Sequence, residues 1–182
     1  RKGLDTTIES FDFLKQEGHH FKLHLIGDGP LESELRKKVS DYNLESFVVF
    51  HGRIENTQTL NSILSRCRAS VSFGQAGLSV LHSFAFGTPY VTMKDAISGG
   101  ETSCISHNVN GYLCSTLSEF KNTLAEIAIT DNSMAYSAAF EFYWEHATSS
   151  AWAESVSVGL RKHFNHDDKF DQKQLQMPLS DE

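Results

Sequence analysis

The sequence predicts an α/β fold in which a parallel β-sheet is covered by helices on both faces. Along most of the 182 residues, short apolar segments of strand type alternate with segments of helical periodicity. Hydrophobic residues make up 40% of the chain and charged residues 21%, which suits one compact domain with a sizeable core. We assign residues 1–164 to this domain and residues 165–182, which carry interspersed charges and few large apolar groups, to a polar C-terminal tail.

The individual elements follow from periodicity and from the residues that end each segment. The apolar residues of the first segment share one helical face, and Asn56-Thr57 is typical of a helix start. In chain order we expect a helix over 4–17, a strand over 21–26, a helix over 31–39, a strand over 47–50, a helix from 57 to 64, a strand over 69–73, a helix over 78–86, a strand over 90–93, a short helix over 101–107, a strand at 112–113 and three helices between 117 and 163. This alternation predicts a Rossmann-like parallel sheet.

The charge balance argues against several classes of partner. Lys and Arg total 16 against 23 Asp and Glu, a net charge of −7, and no stretch is dominated by basic residues. Nucleic acids and anionic membrane surfaces are therefore poor partners. No segment approaches the roughly 18 consecutive apolar residues that a membrane-spanning helix needs. We expect a cytoplasmic protein without an integral membrane segment, and membrane association of a full-length protein stays open.

The cysteines and histidines do not indicate a metal site. Cys67, Cys104 and Cys114 are odd in number and form no CxxC pair, so we expect three reduced, unpaired thiols. His163 and His166 precede two aspartates at the start of the polar tail, a position that disfavours a metal site. No metal ion and no cofactor are predicted.

Two glycine-bearing loops follow predicted strands, and ligands in open α/β sheets sit beyond the strands' carboxyl ends. Gly27-Asp28-Gly29-Pro30 matches part of a dinucleotide fingerprint, but Glu32 occupies its third glycine position and would repel a pyrophosphate. The loop from Gly74 to Ser79 opens a helix without an acidic residue in its first turn. The second loop is therefore the better anion site.

His82 has two interpretations. It lies about one helical turn after Ser79, from where an imidazole can hydrogen-bond a sugar hydroxyl. A histidine packed against the sheet is the alternative, and composition alone favours it.

Five short motifs then occur in the order and spacing of a known family. They are Lys2-Gly3-Leu4-Asp5, Ile26-Gly27-Asp28-Gly29-Pro30, Phe50-His51-Gly52-Arg53, Gly77-Leu78 with Gly87-Thr88-Pro89, and Asn110-Gly111-Tyr112-Leu113. Up to about residue 115 the chain resembles the nucleotide-sugar-binding domain of group 1 retaining glycosyltransferases, and Trp152 with the following segment resembles the family's terminal helices. The resemblance implies the C-terminal half of a two-domain glycosyltransferase-B fold. It also implies that the domain's first strand is truncated and that an N-terminal acceptor-binding domain is missing.

The resemblance assigns donor-binding roles to particular residues. Lys2 matches the family's lysine that contacts the donor diphosphate, and that lysine's partner arginine is either missing or, less favourably, replaced by Arg1. Gly77, Leu78 and Ser79 match the helix start whose amides hold the phosphate and the sugar.

One departure concerns the family's Glu-x7-Glu pair, which falls on Gly74 and His82. The resemblance implies that His82 binds the ribose, because a branch of similar bacterial transferases carries a histidine there. It leaves Gln75 and Glu101 as candidates for the sugar contact, although Glu101 is equally compatible with a helix cap. No catalytic residue is assigned.

The resemblance therefore implies a donor domain that binds a nucleoside-diphosphate sugar, most plausibly a UDP-sugar, for bacterial surface polysaccharide synthesis. We expect this chain alone to be inactive. The absent Glu pair keeps open a non-catalytic nucleotide-sugar-binding domain. A less favoured alternative is an NAD-dependent oxidoreductase that uses Gly27 and Gly29, and an epimerase of the same fold lacks supporting carboxylates.

Overall fold

A computed structural model describes residues 2–148, in which strands and helices alternate as the sequence predicts. The α-helices are α1 Leu4–Gln16, α2 Glu32–Asp41, α3 Thr57–Leu64, α4 Ser79–Ala85, α5 Leu117–Ile129 and α6 Ser133–Phe142. The strands are β1 Leu23–Ile26, β2 Val48–Gly52, β3 Ser70–Ser72, β4 Tyr90–Met93 and β5 Gly111–Cys114. As predicted, Asn56 caps α3, because its side chain accepts a hydrogen bond from the amide of Thr59.

The strands are parallel but fall into two hydrogen-bonded groups. β1 pairs with β2, and β3, β4 and β5 form a second group with β4 in the centre. The predicted parallel sheet is therefore present in two parts, because no ladder of the described residues joins β1 to β3. Periodicity identifies strands but does not determine which strand edges meet.

One of the two apolar core clusters in the described residues nevertheless connects the two parts. Its buried members include Ile8 and Leu14 of α1, Leu23 of β1, Val91 of β4 and Phe120 of α5. α1 packs against α2, α5 and β3. The first helix thus holds the two parts of the sheet over a common core.

A cavity of about 840 Å³ lies between β1 and β3, and we call it the inter-sheet cavity. Residues 23–26 of β1 and 70–72 of β3 line it, together with apolar side chains of α1 such as Leu4 and Phe11. Lys2, Ser79 and His82 also line it. The cavity therefore reaches from the facing edges of the two strand groups to the loop that follows β3.

The segment after β4 differs from its prediction as a short helix over 101–107. Only one 3₁₀ turn, Glu101–Cys104, forms. The side chain of Asn110 accepts from the amide of Ser106 at 2.8 Å and donates to the carbonyl of Cys104 at 3.1 Å. These side-chain bonds replace the helical ones and keep the segment in a loop.

Only part of the C-terminal prediction falls within the described residues. α5 and α6 are two of the three predicted helices, and a π-helical turn, Tyr143–Ala147, follows them. The third helix, the tail over 165–182 and the histidines His163 and His166 lie outside the described residues.

The three cysteines are free thiols as predicted, with Cys114 buried. Within residues 2–148, no helix is long and apolar enough to cross a bilayer. In the same part of the chain, no three metal-ligating side chains form a group that suits a metal ion.

Candidate functional site

Lys2 and the second glycine loop meet at the carboxyl end of β3. The Lys2 ammonium donates to the backbone carbonyl of Gln75 at 3.1 Å and to Ser79 Oγ at 2.9 Å. Ser79 is the first residue of α4. The structure therefore brings together two of the residues that the resemblance assigns to the diphosphate.

Backbone contacts fix the chain on which Lys2 lies. The amide of Gly74 donates to the carbonyl of Lys2 at 2.9 Å. The single Ser72 hydroxyl proton is shared between the carbonyls of Gln75, at 2.7 Å, and Lys2, at 3.2 Å. Gly3 adopts a φ of 65°, and a Cβ there would lie 3.0 Å from the Gly74 nitrogen. Gly3 thus provides both the left-handed conformation and the close approach that this position requires.

The environment of Lys2 leaves its charge without a close counterion. The side chain is half-buried, and burial lowers the pKa of Lys2, while the negative charge of Glu101 opposes that shift. Its hydrogen-bond partners, a carbonyl and a hydroxyl, are neutral, and no described carboxylate forms an ion pair with it. A half-buried cation of this kind is suited to binding an anion.

His82 is exposed and lies in α4, one turn beyond Ser79. The interpretation as a histidine packed against the sheet is therefore wrong. Its ring shares the wall of the inter-sheet cavity with Lys2 and Ser79 and is available to a ligand there.

The start of α4 has free space around it. A Cβ on Gly77 would meet nothing nearer than the side-chain nitrogen Nε2 of Gln75, 3.9 Å away, and Leu78 is 64% exposed. α4 carries no side-chain cap and no acidic residue in its first turn. The absence of local crowding leaves room for a ligand to approach the backbone of Gly77 and Leu78.

The two candidates for the sugar contact already have partners within the protein. The backbone carbonyl of Gln75 accepts hydrogen bonds from Lys2 Nζ and Ser72 Oγ, and its backbone forms a bridge with Ile97. Glu101 accepts from the amide of Gly99 at 2.7 Å and from Ser98 Oγ at 3.0 Å. Its own backbone amide, Ser98 and Gly99 lower the pKa of Glu101. Glu101 therefore binds the loop that precedes the 3₁₀ turn without capping that turn, and its contact with a sugar stays a prediction.

Sequence reasoning missed Tyr90, which it assigned only to a strand. This side chain is 2% exposed, and its phenol oxygen lies 2.8 Å from Ser79 Oγ. The available signal was a tyrosine in a short strand that was predicted to be buried, because a buried phenol needs a hydrogen-bond partner.

The first glycine loop lies on the β1–β2 side of the inter-sheet cavity. The amide of Gly27 donates to the carbonyl of Gly52 at 2.7 Å, and Glu32 pairs with Arg36 at 2.8 Å. In the strands below, His24 Nδ1 lies 2.8 Å from His51 Nε2. Burial and then the neighbouring His51 lower the pKa of His24. These contacts agree with the loop being a structural turn, which stays a prediction.

Comparison with known proteins identifies relatives of this chain. A model of the family "Glycosyl transferases group 1" matches residues 1–133. The amylovoran biosynthesis glycosyltransferase AmsK of Erwinia amylovora is 29% identical over 121 residues, which cover 62% of this chain and 29% of AmsK. The chain thus spans less than a third of that relative's length.

Solved structures show the same fold. A variant of TarM from Staphylococcus aureus, in complex with UDP and other ligands, has a TM-score of 0.72 and 25% identity over 91% of this chain and 33% of TarM. The C-terminal domain of LpcC, a group 1 glycosyl transferase family protein of Francisella tularensis, has a TM-score of 0.65 and 20% identity over 81% of this chain and 80% of that chain. The α/β fold is that of a glycosyltransferase-B domain. The family match over most of its length shows that this chain belongs to the group 1 glycosyl transferases.

Proposed function

We propose that this domain binds the nucleoside-diphosphate sugar, a UDP-sugar, that serves as donor for a retaining glycosyltransferase. The proposal depends mainly on Lys2, whose half-buried ammonium has only neutral hydrogen-bond partners, one of which is Ser79 at the start of α4. The exposed His82 follows one turn later on the same helix. A diphosphate provides the anion that the protein itself does not place against this cation.

Each part of the donor then has a contact. Lys2 and Ser79, with the backbone of Gly77 and Leu78, bind the diphosphate, and His82 hydrogen-bonds a ribose hydroxyl. Gln75 and Glu101 are placed near Lys2 and bind the sugar. The UDP in the TarM complex supports the choice of nucleotide, and the name of AmsK supports a role in polysaccharide synthesis.

The chemistry would depend on positioning and on stabilising the leaving group. An acceptor hydroxyl oxygen bonds to the anomeric carbon while the bond from that carbon to the diphosphate breaks on the same face, and the hydroxyl proton passes to the departing phosphate oxygen. The Lys2 ammonium offsets the charge that develops on the departing diphosphate. The acceptor would be held by a further domain, so the 182-residue chain binds donor but does not turn it over.

The inter-sheet cavity supports the proposal that the strand leading into α1 is truncated. The facing edges of β1 and β3 form no ladder with each other, and the carbonyl of Lys2 already accepts the amide of Gly74 just beyond β3. A strand that ends at Lys2 would continue this pairing between β3 and β1. It would also complete a right-handed strand–helix–strand unit with α1 and β1.

A non-catalytic nucleotide-sugar-binding domain remains the second candidate, because Gly74 brings no side chain to the position of the family's first glutamate. Turnover of UDP-sugar by a full-length protein that contains this domain distinguishes the two. The NAD-dependent oxidoreductase alternative has no support from the family match.

Isothermal titration of UDP at two salt concentrations tests the proposal. A charged hydrogen bond is worth about 1.5–3 kcal/mol and a neutral one about 0.5–1.5 kcal/mol. We therefore expect Lys2→Ala to weaken the binding of UDP about tenfold or more and His82→Ala to weaken it less. Added salt should weaken binding to the wild type more than binding to Lys2→Ala, while His82→Ala keeps the wild-type salt dependence.

Matched variants control for the loss of charge and of an imidazole. Lys37→Ala removes an exposed lysine that pairs with Asp41 on α2, and His146→Ala removes an exposed histidine that does not line the inter-sheet cavity. Both should bind UDP like the wild type. Failure of the wild type to bind UDP would refute the proposal, and wild-type affinity in His82→Ala would remove His82 from the site.

A further inference from the structure

The buried hydroxyl group of Tyr90 contacts Ser79 and has no role in the proposed function. Tyr90 begins β4, is almost fully buried and places its phenol oxygen 2.8 Å from Ser79 Oγ. Burial raises the pKa of Tyr90, against the opposing effect of the Ser79 and Ser72 hydroxyls, so the phenol keeps its proton at neutral pH. Tyr90 therefore brings an O–H donor to the protein side of Ser79.

The partners of Ser79 Oγ decide where its own proton points. A serine hydroxyl has one donor and two acceptor sites, and an ammonium group can only donate. The 2.9 Å contact from Lys2 therefore fills one acceptor site of Ser79. When the Tyr90 phenol donates to the second site, the Ser79 proton is left for a third partner.

The opposite polarity suits an anionic ligand poorly. If Ser79 donated to Tyr90, its proton would be used within the protein, and an oxygen lone pair would face the ligand. A phosphate oxygen is only an acceptor, so the two lone pairs would repel each other. An anion beside Ser79 therefore favours the arrangement in which Tyr90 donates.

We propose that Tyr90 is a positioning residue: its hydroxyl donates to Ser79 and thereby turns the Ser79 proton toward a phosphate oxygen of the bound donor. This inference rests on the proposed function, because it requires a diphosphate at Lys2 and Ser79. Ser79 begins α4 and lies 2.9 Å from the Lys2 ammonium, and that phosphate would lie beside these two groups. Tyr90 contacts the ligand only through Ser79.

Titration of UDP and of uridine, which lacks the phosphates, tests this role in the 182-residue chain. Removal of one neutral hydrogen bond predicts that Tyr90→Phe binds UDP about three- to tenfold more weakly. Uridine, followed by ligand-observed NMR, should bind to it as to the wild type. Ser79→Ala should lose a similar factor for UDP, and the double variant should be no weaker than Ser79→Ala alone.

Tyr112→Phe is the matched control. It makes the same chemical change in β5, where the Tyr112 hydroxyl lies 3.5 Å from Asn132 Oδ1 and away from the inter-sheet cavity. Its affinity for UDP should equal that of the wild type. Melting curves of every variant establish that the chains are folded at the titration temperature.

The outcomes separate this inference from the proposed function. If the wild type binds UDP and Tyr90→Phe binds it equally well, the role of Tyr90 alone is refuted. Equal losses for UDP and uridine, or additive losses in the double variant, also refute it, since Tyr90 would then act on the fold or independently of Ser79. If the wild type binds no UDP, both proposals fail.

A second measurement applies if Tyr90→Phe is unfolded at the titration temperature. The chain labelled with 3-fluorotyrosine carries a more acidic and therefore stronger donor of nearly the same size. It should bind UDP more tightly and uridine unchanged, and the absence of tighter UDP binding would refute the inference.

Discussion

The two parts of the sheet differ in burial and in what they support. All four residues of β4 are buried, from Tyr90 at 2% exposure to Met93 at 7%, because β3 and β5 flank this strand. In β1 only Leu23 is buried, and Ile26 is 36% exposed. The candidate site is built on the well-buried part, in the loop after β3 and on α4.

This difference indicates where rigidity is needed. Lys2, Ser79 and Tyr90 are connected by hydrogen bonds that end in the central strand of the buried part. The β1–β2 part contributes a turn and the opposite wall of the inter-sheet cavity. We therefore expect changes in the β3–β5 part to cost more stability, and more ligand affinity, than matched changes on the other side.

The largest effect is expected from Gly111→Ala, at the pairing of β4 with β5. A Cβ at Gly111 would lie 2.4 Å from the carbonyl oxygen of Tyr90 and 3.0 Å from Ile105 Cγ2, so the strands must separate. The free energy of unfolding should fall by about 2–3 kcal/mol, as for an overpacked core. Urea denaturation measures it.

Gly29→Ala is the matched change on the other side of the inter-sheet cavity. Nothing lies within 4 Å of a Cβ on Gly29, so its stability should stay within about 0.5 kcal/mol of the wild type. If Gly29→Ala and Gly111→Ala lost the same free energy of unfolding, the expected difference between the two parts of the sheet would be refuted.

A smaller effect is expected from Gly3→Ala, compared with Gly18→Ala. Both glycines have a positive φ, 65° and 79°, but only Gly3 lies against another segment, at the Gly74 nitrogen. Each variant should lose about 1 kcal/mol of stability from backbone strain. Only Gly3→Ala should also weaken UDP binding, because it displaces the chain that carries Lys2. Titration of UDP against both variants distinguishes this displacement from the backbone strain that they share.

The smallest effect concerns pH and the β1–β2 part. The pKa of His24 is lowered in the fold, so between that value and the unfolded value of about 6.5 the unfolded chain binds more protons. The contribution of His24 to the free energy of unfolding is therefore fully present above about pH 6.5 and is lost as the pH falls through the lowered pKa. In urea denaturation at several pH values, the free energy of unfolding of His24→Gln should decrease less on acidification than that of the wild type. The exposed control His20→Gln should match the wild type.

The sequence predicted the elements better than their assembly. Tyr90–Met93 forms the strand expected of it, because a short apolar segment between turn residues leaves few alternatives. The gap between β1 and β3 was not foreseen from the residues, since edge pairing depends on segments distant in sequence. The helix expected over 101–107 failed for a local reason, the side-chain bonds of Asn110.

The candidate site was predicted unevenly. Family resemblance pointed to Lys2 and Ser79, which the structure brings within 2.9 Å although they lie 77 positions apart. Composition favoured a packed His82, yet the residue is exposed, because α4 turns that side chain away from its buried face of Val80 and Phe84. Tyr90 was missed because its role depends on a contact across the fold that no motif records.

The place of α1 gives the bound donor an effect on the whole domain. This helix packs against β3, and its buried side chains share one core cluster with Leu23 of β1 and Val91 of β4. Lys2 lies two residues before its first residue, Leu4. A ligand held by Lys2 therefore favours the docked position of the helix that joins the two parts, and unfolding has to release the ligand first. At 100 times Kd such linkage adds about 2.7 kcal/mol to the free energy of unfolding. The cellular concentration of donor would thus set the domain's resistance to heat and proteolysis.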